Sequence, residues 1–188
     1  RVRCRSGQSL KNAAVWYVAP TYQQARDIMW KQLKELVRPI AKQIKEKDMT
    51  IVLTNDRYIV LKGSDNEDTL RGVSLSYVVL DEYADMQPGV FDLIIRPALS
   101  DMQGGALFIG TPKGKNHFYH MYCEAEKSEN TDMEAFSFCS LDNPMLDPKE
   151  VESARRIMTR EAFKQEYEAS FATGGGNTFK VDDFKYIE

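Results

Sequence analysis

The chain has 188 residues, 43% of them hydrophobic and 28% charged, with a formal net charge of −3. That profile suits one globular domain with a proper core and excludes a chain coated in positive charge for nucleic acid, while leaving room for one local basic surface. No apolar run approaches the ~18 residues that a membrane-spanning helix needs. No secretory signal is visible at Arg1-Val2-Arg3-Cys4-Arg5. The three widely spaced cysteines, Cys4, Cys123 and Cys139, suit neither a disulfide framework nor a zinc site, which points to a reducing, intracellular compartment. The first residue is not Met, so we expect a piece of a longer polypeptide.

Residues 1–12 are polar and basic. Ser6-Gly7-Gln8-Ser9 has the outline of a phosphate-binding loop with Gln8 where the lysine belongs, and too few residues follow for the usual helix before the next strand. A basic lead-in with no ligand is the other reading. Residues 14–19 read as a buried strand that ends at Pro20-Thr21. Thr21 is a good N-cap for a helix whose apolar positions are Ala25, Ile28, Met29, Leu33, Leu36 and Val37. Pro39 should end or kink it, and Ile40 to Lys47 is expected to continue as a basic amphipathic turn or two. Residues 50–54 and 58–62, joined by Asn55-Asp56-Arg57, carry a hairpin signature.

After a polar loop and Leu70-Arg71-Gly72 comes Tyr77-Val78-Val79-Leu80-Asp81-Glu82, an apolar run ending in two carboxylates. Unpaired acids are costly inside a strand but suit its carboxyl end, where parallel α/β sheets place their ligands. A plain core strand capped by two solvated acids is the competing reading. Pro88 sits early in a helix through Val90, Leu93, Ile94 and Ala98, kinked or ended at Pro97. Residues 106–110 form another buried strand, Thr111-Pro112-Lys113-Gly114 ends it, and a helix over roughly 116–127 follows. A further strand is expected at 133–138. Beyond Asp142-Asn143-Pro144 two helices are expected, near 148–159 and 160–171. Val151, Ala154, Ile157 and Met158 line one face of the first, and Phe163, Tyr167 and Phe171 line the core of the second. Thr173 to Asn177 is a glycine-rich linker.

Strands alternating with helices predict an α/β fold, a mostly parallel sheet flanked by helices. The strand–acid, helix, strand–polar order is that of a RecA-like P-loop ATPase core, here over residues 1–140. A small helical lid over 141–172 and a linker over 173–188 would complete it. Several motifs then agree with one family. Trp16-Tyr17-Val18-Ala19-Pro20-Thr21-Tyr22-Gln23-Gln24-Ala25, Val78-Val79-Leu80-Asp81-Glu82-Tyr83-Ala84-Asp85, Phe108-Ile109-Gly110-Thr111-Pro112-Lys113-Gly114, Asp142-Asn143-Pro144 and Gln165-Glu166-Tyr167 stand in the order found in phage terminase large subunits. The chain resembles their ATPase domain over residues 14–179. It departs from the pattern at the lysine of the phosphate loop, and the nuclease domain that the resemblance leads one to expect after residue 188 is not among these residues.

The resemblance implies an ATP hydrolase that drives double-stranded DNA into a capsid, with ATP and Mg2+ as cofactors. Implied partners are the portal protein, the small terminase subunit and further copies of the chain in a ring, a pentamer, in the cytoplasm of the infected bacterial host. By the same resemblance Asp81 would hold Mg2+ and Glu82 would prepare the attacking water. Thr111 would sit near the γ-phosphate, and Ser6, Gly7, Gln8 and Ser9 would line the phosphates. Arg71, eleven residues before Glu82, would act on a neighbouring subunit's ATP. A surface pairing with Asp65 or Glu67 is the alternative for Arg71. Lys113 and Lys115 could meet DNA or phosphate, or simply be solvated. A helicase-like RecA-fold ATPase and a catalytically inert remnant of the fold remain the competing functions.

Overall fold

The computed structural model describes residues 14–127 and 132–171. They fall into two compact units that divide between Gly110 and Thr111. The first is built on a six-stranded sheet. Its strands are β1 (Ala14–Ala19), β2 (Ala41–Lys45), β3 (Thr50–Leu53), β4 (Tyr58–Gly63), β5 (Leu75–Leu80) and β6 (Gly105–Phe108), in the order β2-β3-β4-β1-β5-β6. β4, β1, β5 and β6 run parallel, and β2 and β3 are antiparallel additions at one side. This is the expected α/β sheet, with the three long apolar runs side by side.

β1 is central because both of its faces are apolar. Trp16 and Val18 alternate with Tyr17 and Ala19, and all four are buried. Tyr17 and Ala19 pack with Ala25, Trp30, Met49, Ile51 and Leu61. Across the sheet, Trp16 and Val18 stand beside Val78 and Leu80 of β5. Val78 and Leu80 are fully buried, each contributing ~1.5–3 kcal/mol to the fold.

The first helix begins as α1 (Tyr22–Ala25), passes through a π-helical turn at Arg26–Trp30 and continues as α2 (Lys31–Val37). Thr21 caps it in a reciprocal box with Gln24, as its sequence suggests. The π turn inserts a residue and rotates the apolar face. Trp30 is therefore buried, while Ile28 and Leu36, counted on the apolar face by a regular period, are exposed. The indole of Trp30 donates to Glu46 at 2.7 Å.

Two sequence expectations fail here. Residues 41–45 are strand β2 rather than a helical turn, paired antiparallel with β3. Pro39 closes a 3-10 turn, and the exposed Lys42 and Lys45 then lie on an edge strand, where lysines discourage pairing with other chains. In the second unit, residues 133–138 form no strand, and Phe136 and Phe138 are 70% and 73% exposed. An alternating run becomes a strand only where a ladder partner and a covering layer exist. The hairpin does form, with Asp56 left-handed at its tip.

A 3-10 turn follows Glu82, then a π-helical segment Val90–Ile95 that continues as α3 (Arg96–Ser100). Pro97 sits in the first turn of α3, where its missing N–H is tolerated beside the wide π turn, so the helix runs on past it. Val90, Ile94, Ile95, Ala98 and Leu99 are buried; Leu93 points outward.

Gly63 closes β4 against the start of α1. A Cβ there would lie 2.1 Å from the Tyr22 backbone nitrogen and 2.2 Å from Asp65 Oδ1. Gly63→Ala should therefore destabilise the protein by about 2 kcal/mol or more, read as a lower urea midpoint with an unchanged slope. An unshifted midpoint would show that the contact relaxes freely.

The second unit is helical among its described residues. α4 (His117–Ala125) is capped by the Asn116 side chain, α5 (Pro148–Ile157) by Asp147 and α6 (Arg160–Glu168) by Thr159. Val151 of α5 and Phe163 of α6 are buried, and the Arg155 guanidinium of α5 lies 4.5 Å over the Phe163 ring. α6 ends at Glu168, with Ala169 left-handed. Phe171 thus leaves the helix, and its ring packs against Phe118, Tyr119 and Tyr122 of α4. Ile157, expected on the apolar face of α5, is 82% exposed at its end.

Candidate functional site

Because β4, β1, β5 and β6 are parallel, their carboxyl ends share one edge of the sheet. Asp81 follows the last residue of β5 at that edge. Its backbone N–H donates to the Val18 carbonyl at 2.8 Å, which extends the β1 ladder by one residue and fixes where the side chain starts. One carboxylate oxygen, Oδ1, accepts from the Glu82 backbone N–H at 3.1 Å. The other, Oδ2, accepts from the Tyr17 phenol, which reaches it from the neighbouring strand. Asp81 is half-buried and held at both oxygens.

Glu82 comes next, with φ 51° and ψ 44°. A non-glycine residue in this left-handed region is strained by ~1–3 kcal/mol, and such strain gathers at functional sites. The surroundings hold it there. The Tyr83 N–H donates to the Ile109 carbonyl and the Asp85 N–H to the Glu82 carbonyl, both at 2.9 Å. Gly110 allows the close approach, since a Cβ would stand 3.2 Å from the Tyr83 nitrogen. The Tyr83 ring is buried edge-on against Phe108, with centroids 4.9 Å apart, and Phe108 meets Phe91 in the same way at 4.7 Å. Burial, helped by Asp92, pushes the Tyr83 phenol up to about 12. Burial likewise raises the Tyr17 phenol well above the usual tyrosine range, and its hydrogen bond to Asp81 adds to this.

Among the residues singled out in the sequence, the structure brings Asp81 and Glu82 together at this edge. Arg71 lies apart, on the segment that returns from β4 to the start of β5. Its guanidinium is half-exposed and stands 3.9 Å from Glu67, a surface pair of small energetic weight. Thr111 belongs to the second unit, as do Lys113 and Lys115; Lys115 lies 5.8 Å over the Tyr119 ring. Ser6, Gly7, Gln8 and Ser9 lie outside the described residues. Tyr17 is the site residue that sequence reasoning passes over. Its one signal is a hydroxyl-bearing aromatic inside an otherwise apolar strand.

Among the described residues no three His, Cys, Asp or Glu converge as a metal cluster. A cation at this edge would lean on Asp81, with water and phosphate oxygens filling its shell. That donor set fits Mg2+, which keeps most of its waters and takes one or two carboxylates. No described helix is long and apolar enough to cross a membrane.

A mostly parallel sheet flanked by helices, with an Asp-Glu pair at the carboxyl end of an interior strand, defines a RecA-like α/β core. The chain belongs to the terminase large subunit family: the model of the T4-like N-terminal region of that subunit matches residues 8–186. It is 32% identical over 182 residues to the terminase large subunit of Escherichia phage T5, covering 94% of this chain and 41% of that protein. It therefore spans about two-fifths of the length of the curated relatives it matches. Among solved structures it is similar to the large terminase ATPase domain of Thermus phage P74-26, with TM-score 0.75 and 28% identity over 86% of this chain and 78% of that one. A large terminase from a thermophilic bacteriophage, solved with ADP, shares the fold at TM-score 0.70 and 17% identity over 86% of this chain and 41% of that one.

Proposed function

We propose that this chain is the ATP-hydrolysing part of a viral DNA-packaging motor, coupling ATP hydrolysis to the movement of double-stranded DNA into a capsid. The observation that carries the reading is the adjacent pair Asp81 and Glu82 at the carboxyl edge of the sheet, in a chain of the terminase large subunit family. A related ATPase domain shares the fold, and fold relatives have been solved with ADP and with ATP-gamma-S.

Phosphoryl transfer asks the protein mainly for positioning and charge stabilisation. Asp81 is the residue that would hold Mg2+, which when bound neutralises charge on the phosphate oxygens. Glu82 orients the attacking water and takes its proton. Thr111 hydrogen-bonds near the γ-phosphate, and Ser6, Gly7, Gln8 and Ser9 line the phosphates. Gln8 offers an amide where the motif has an ammonium, so more of the charge stabilisation falls to other groups. Arg71 serves the ATP of a neighbouring copy. The working assembly is a ring of copies, a pentamer on the portal protein with the small terminase subunit, in the host cytoplasm.

The test is ATP turnover and nucleotide affinity in the complete subunit, with and without Mg2+. Wild type should hydrolyse ATP, and Asp81→Ala should lower turnover by ~100-fold or more while losing the part of the affinity that depends on Mg2+. A wild type that neither binds nor hydrolyses ATP would overturn the reading and leave an inert module of the same fold.

A further inference from the structure

The buried phenol of Tyr17 has a consequence for the site beyond packing. Tyr17 lies on β1, next to β5 in the sheet, and is 6% exposed. Its ring belongs to the core cluster with Ala25, Trp30 and Leu61, so the strand and the core fix its position. Its hydroxyl donates to Asp81 Oδ2, while the Glu82 backbone N–H donates to Oδ1 at 3.1 Å. A carboxylate is rotated freely by two side-chain torsions, and a donor on each oxygen removes that freedom. Each oxygen keeps a second lone pair for a further donor. The backbone donor alone would leave Oδ2 free to swing.

We infer that Tyr17 is a positioning residue for the cation site, a phenol that sets the orientation of Asp81 towards magnesium-bound water. The inference rests on the role given to Asp81 above. Partners that orient a metal-holding group in this way typically account for ~10–100-fold in metal affinity. Because Asp81 would act through water, the lower end is expected here.

The experiment is a Mg2+ titration of fluorescent ADP binding to the complete subunit in wild type, Tyr17→Phe and Asp81→Ala, beside binding in EDTA. Tyr17→Phe keeps the ring and its core contacts, and a melting curve checks that the fold is retained. Its Mg2+ half-saturation should rise ~10-fold, with affinity in EDTA unchanged. Turnover should approach wild type once Mg2+ saturates, because Glu82 is untouched. A purely structural tyrosine would weaken binding equally with and without Mg2+, or not at all, and either result overturns the inference. If Tyr17→Phe follows the wild-type titration while Asp81→Ala loses its Mg2+ dependence, only Tyr17 is misassigned. If Asp81→Ala also follows wild type, the role of Asp81 falls, and this inference with it.

Discussion

Replacing Glu82 by alanine should reduce ATP turnover by ~10³-fold or more, leaving affinity for Mg-ATP within a few-fold of wild type. The split follows from where the side chain stands. Asp81 continues the strand, whereas Glu82 turns out of it in a left-handed conformation that alanine tolerates no better. The substitution therefore removes a carboxylate without relieving the backbone, and the hydrogen bonds around Tyr83 and Asp85 keep the turn in place. Groups that hold the nucleotide remain, so the loss should fall on turnover. Single-turnover hydrolysis beside equilibrium binding separates the two. Turnover near the wild-type rate would show that another group prepares the water.

Much of this architecture was legible because β1, β5 and β6 are apolar runs too short for helices, each ended by a proline, an acid or a glycine. Such runs in β1 and β5 need both faces covered, which places those two strands inside the sheet, whereas β6 lies at its edge with Leu107 43% exposed, so the buried strand expected there is only partly covered. β2 was not legible, since Ala41 to Lys45 alternates too weakly to signal a buried face and acquires its partner only when the hairpin folds back. The phase of the first helix was lost for another reason. A π turn at Arg26–Trp30 is invisible to a period of 3.6, so Ile28 was assigned inward in place of Trp30. Phe171 likewise fits the spacing of α6 but lies past the left-handed residue that ends it. At the site, the position of Asp81 and Glu82 could be read from the strand that carries them. The Tyr17 bond to Asp81 could not, because it joins residues 64 positions apart in the chain and depends on which strands become neighbours.

Arg71 should matter only in the assembled motor. The isolated subunit should hydrolyse ATP slowly, and there Arg71→Ala should barely change nucleotide affinity or turnover, because the guanidinium is half-exposed and pairs with Glu67 at 3.9 Å. That contact is weak enough to be exchanged for a phosphate on a neighbour. Assembly on a portal should accelerate wild-type hydrolysis, and Arg71→Ala should remove most of the gain. An arginine supplied to spread phosphoryl charge contributes roughly 10³–10⁵ in rate. Mixing separates action between subunits from action within one. Arg71→Ala subunits carry an intact Glu82, and Glu82→Ala subunits carry an intact Arg71. A mixed ring therefore contains some interfaces where both intact groups meet, and it should recover hydrolysis that neither mutant ring shows alone. If Arg71 served its own subunit, every active centre in the mixed ring would still lack one group. Co-assembly without recovery would then return Arg71 to its own subunit, or to the surface pair with Glu67.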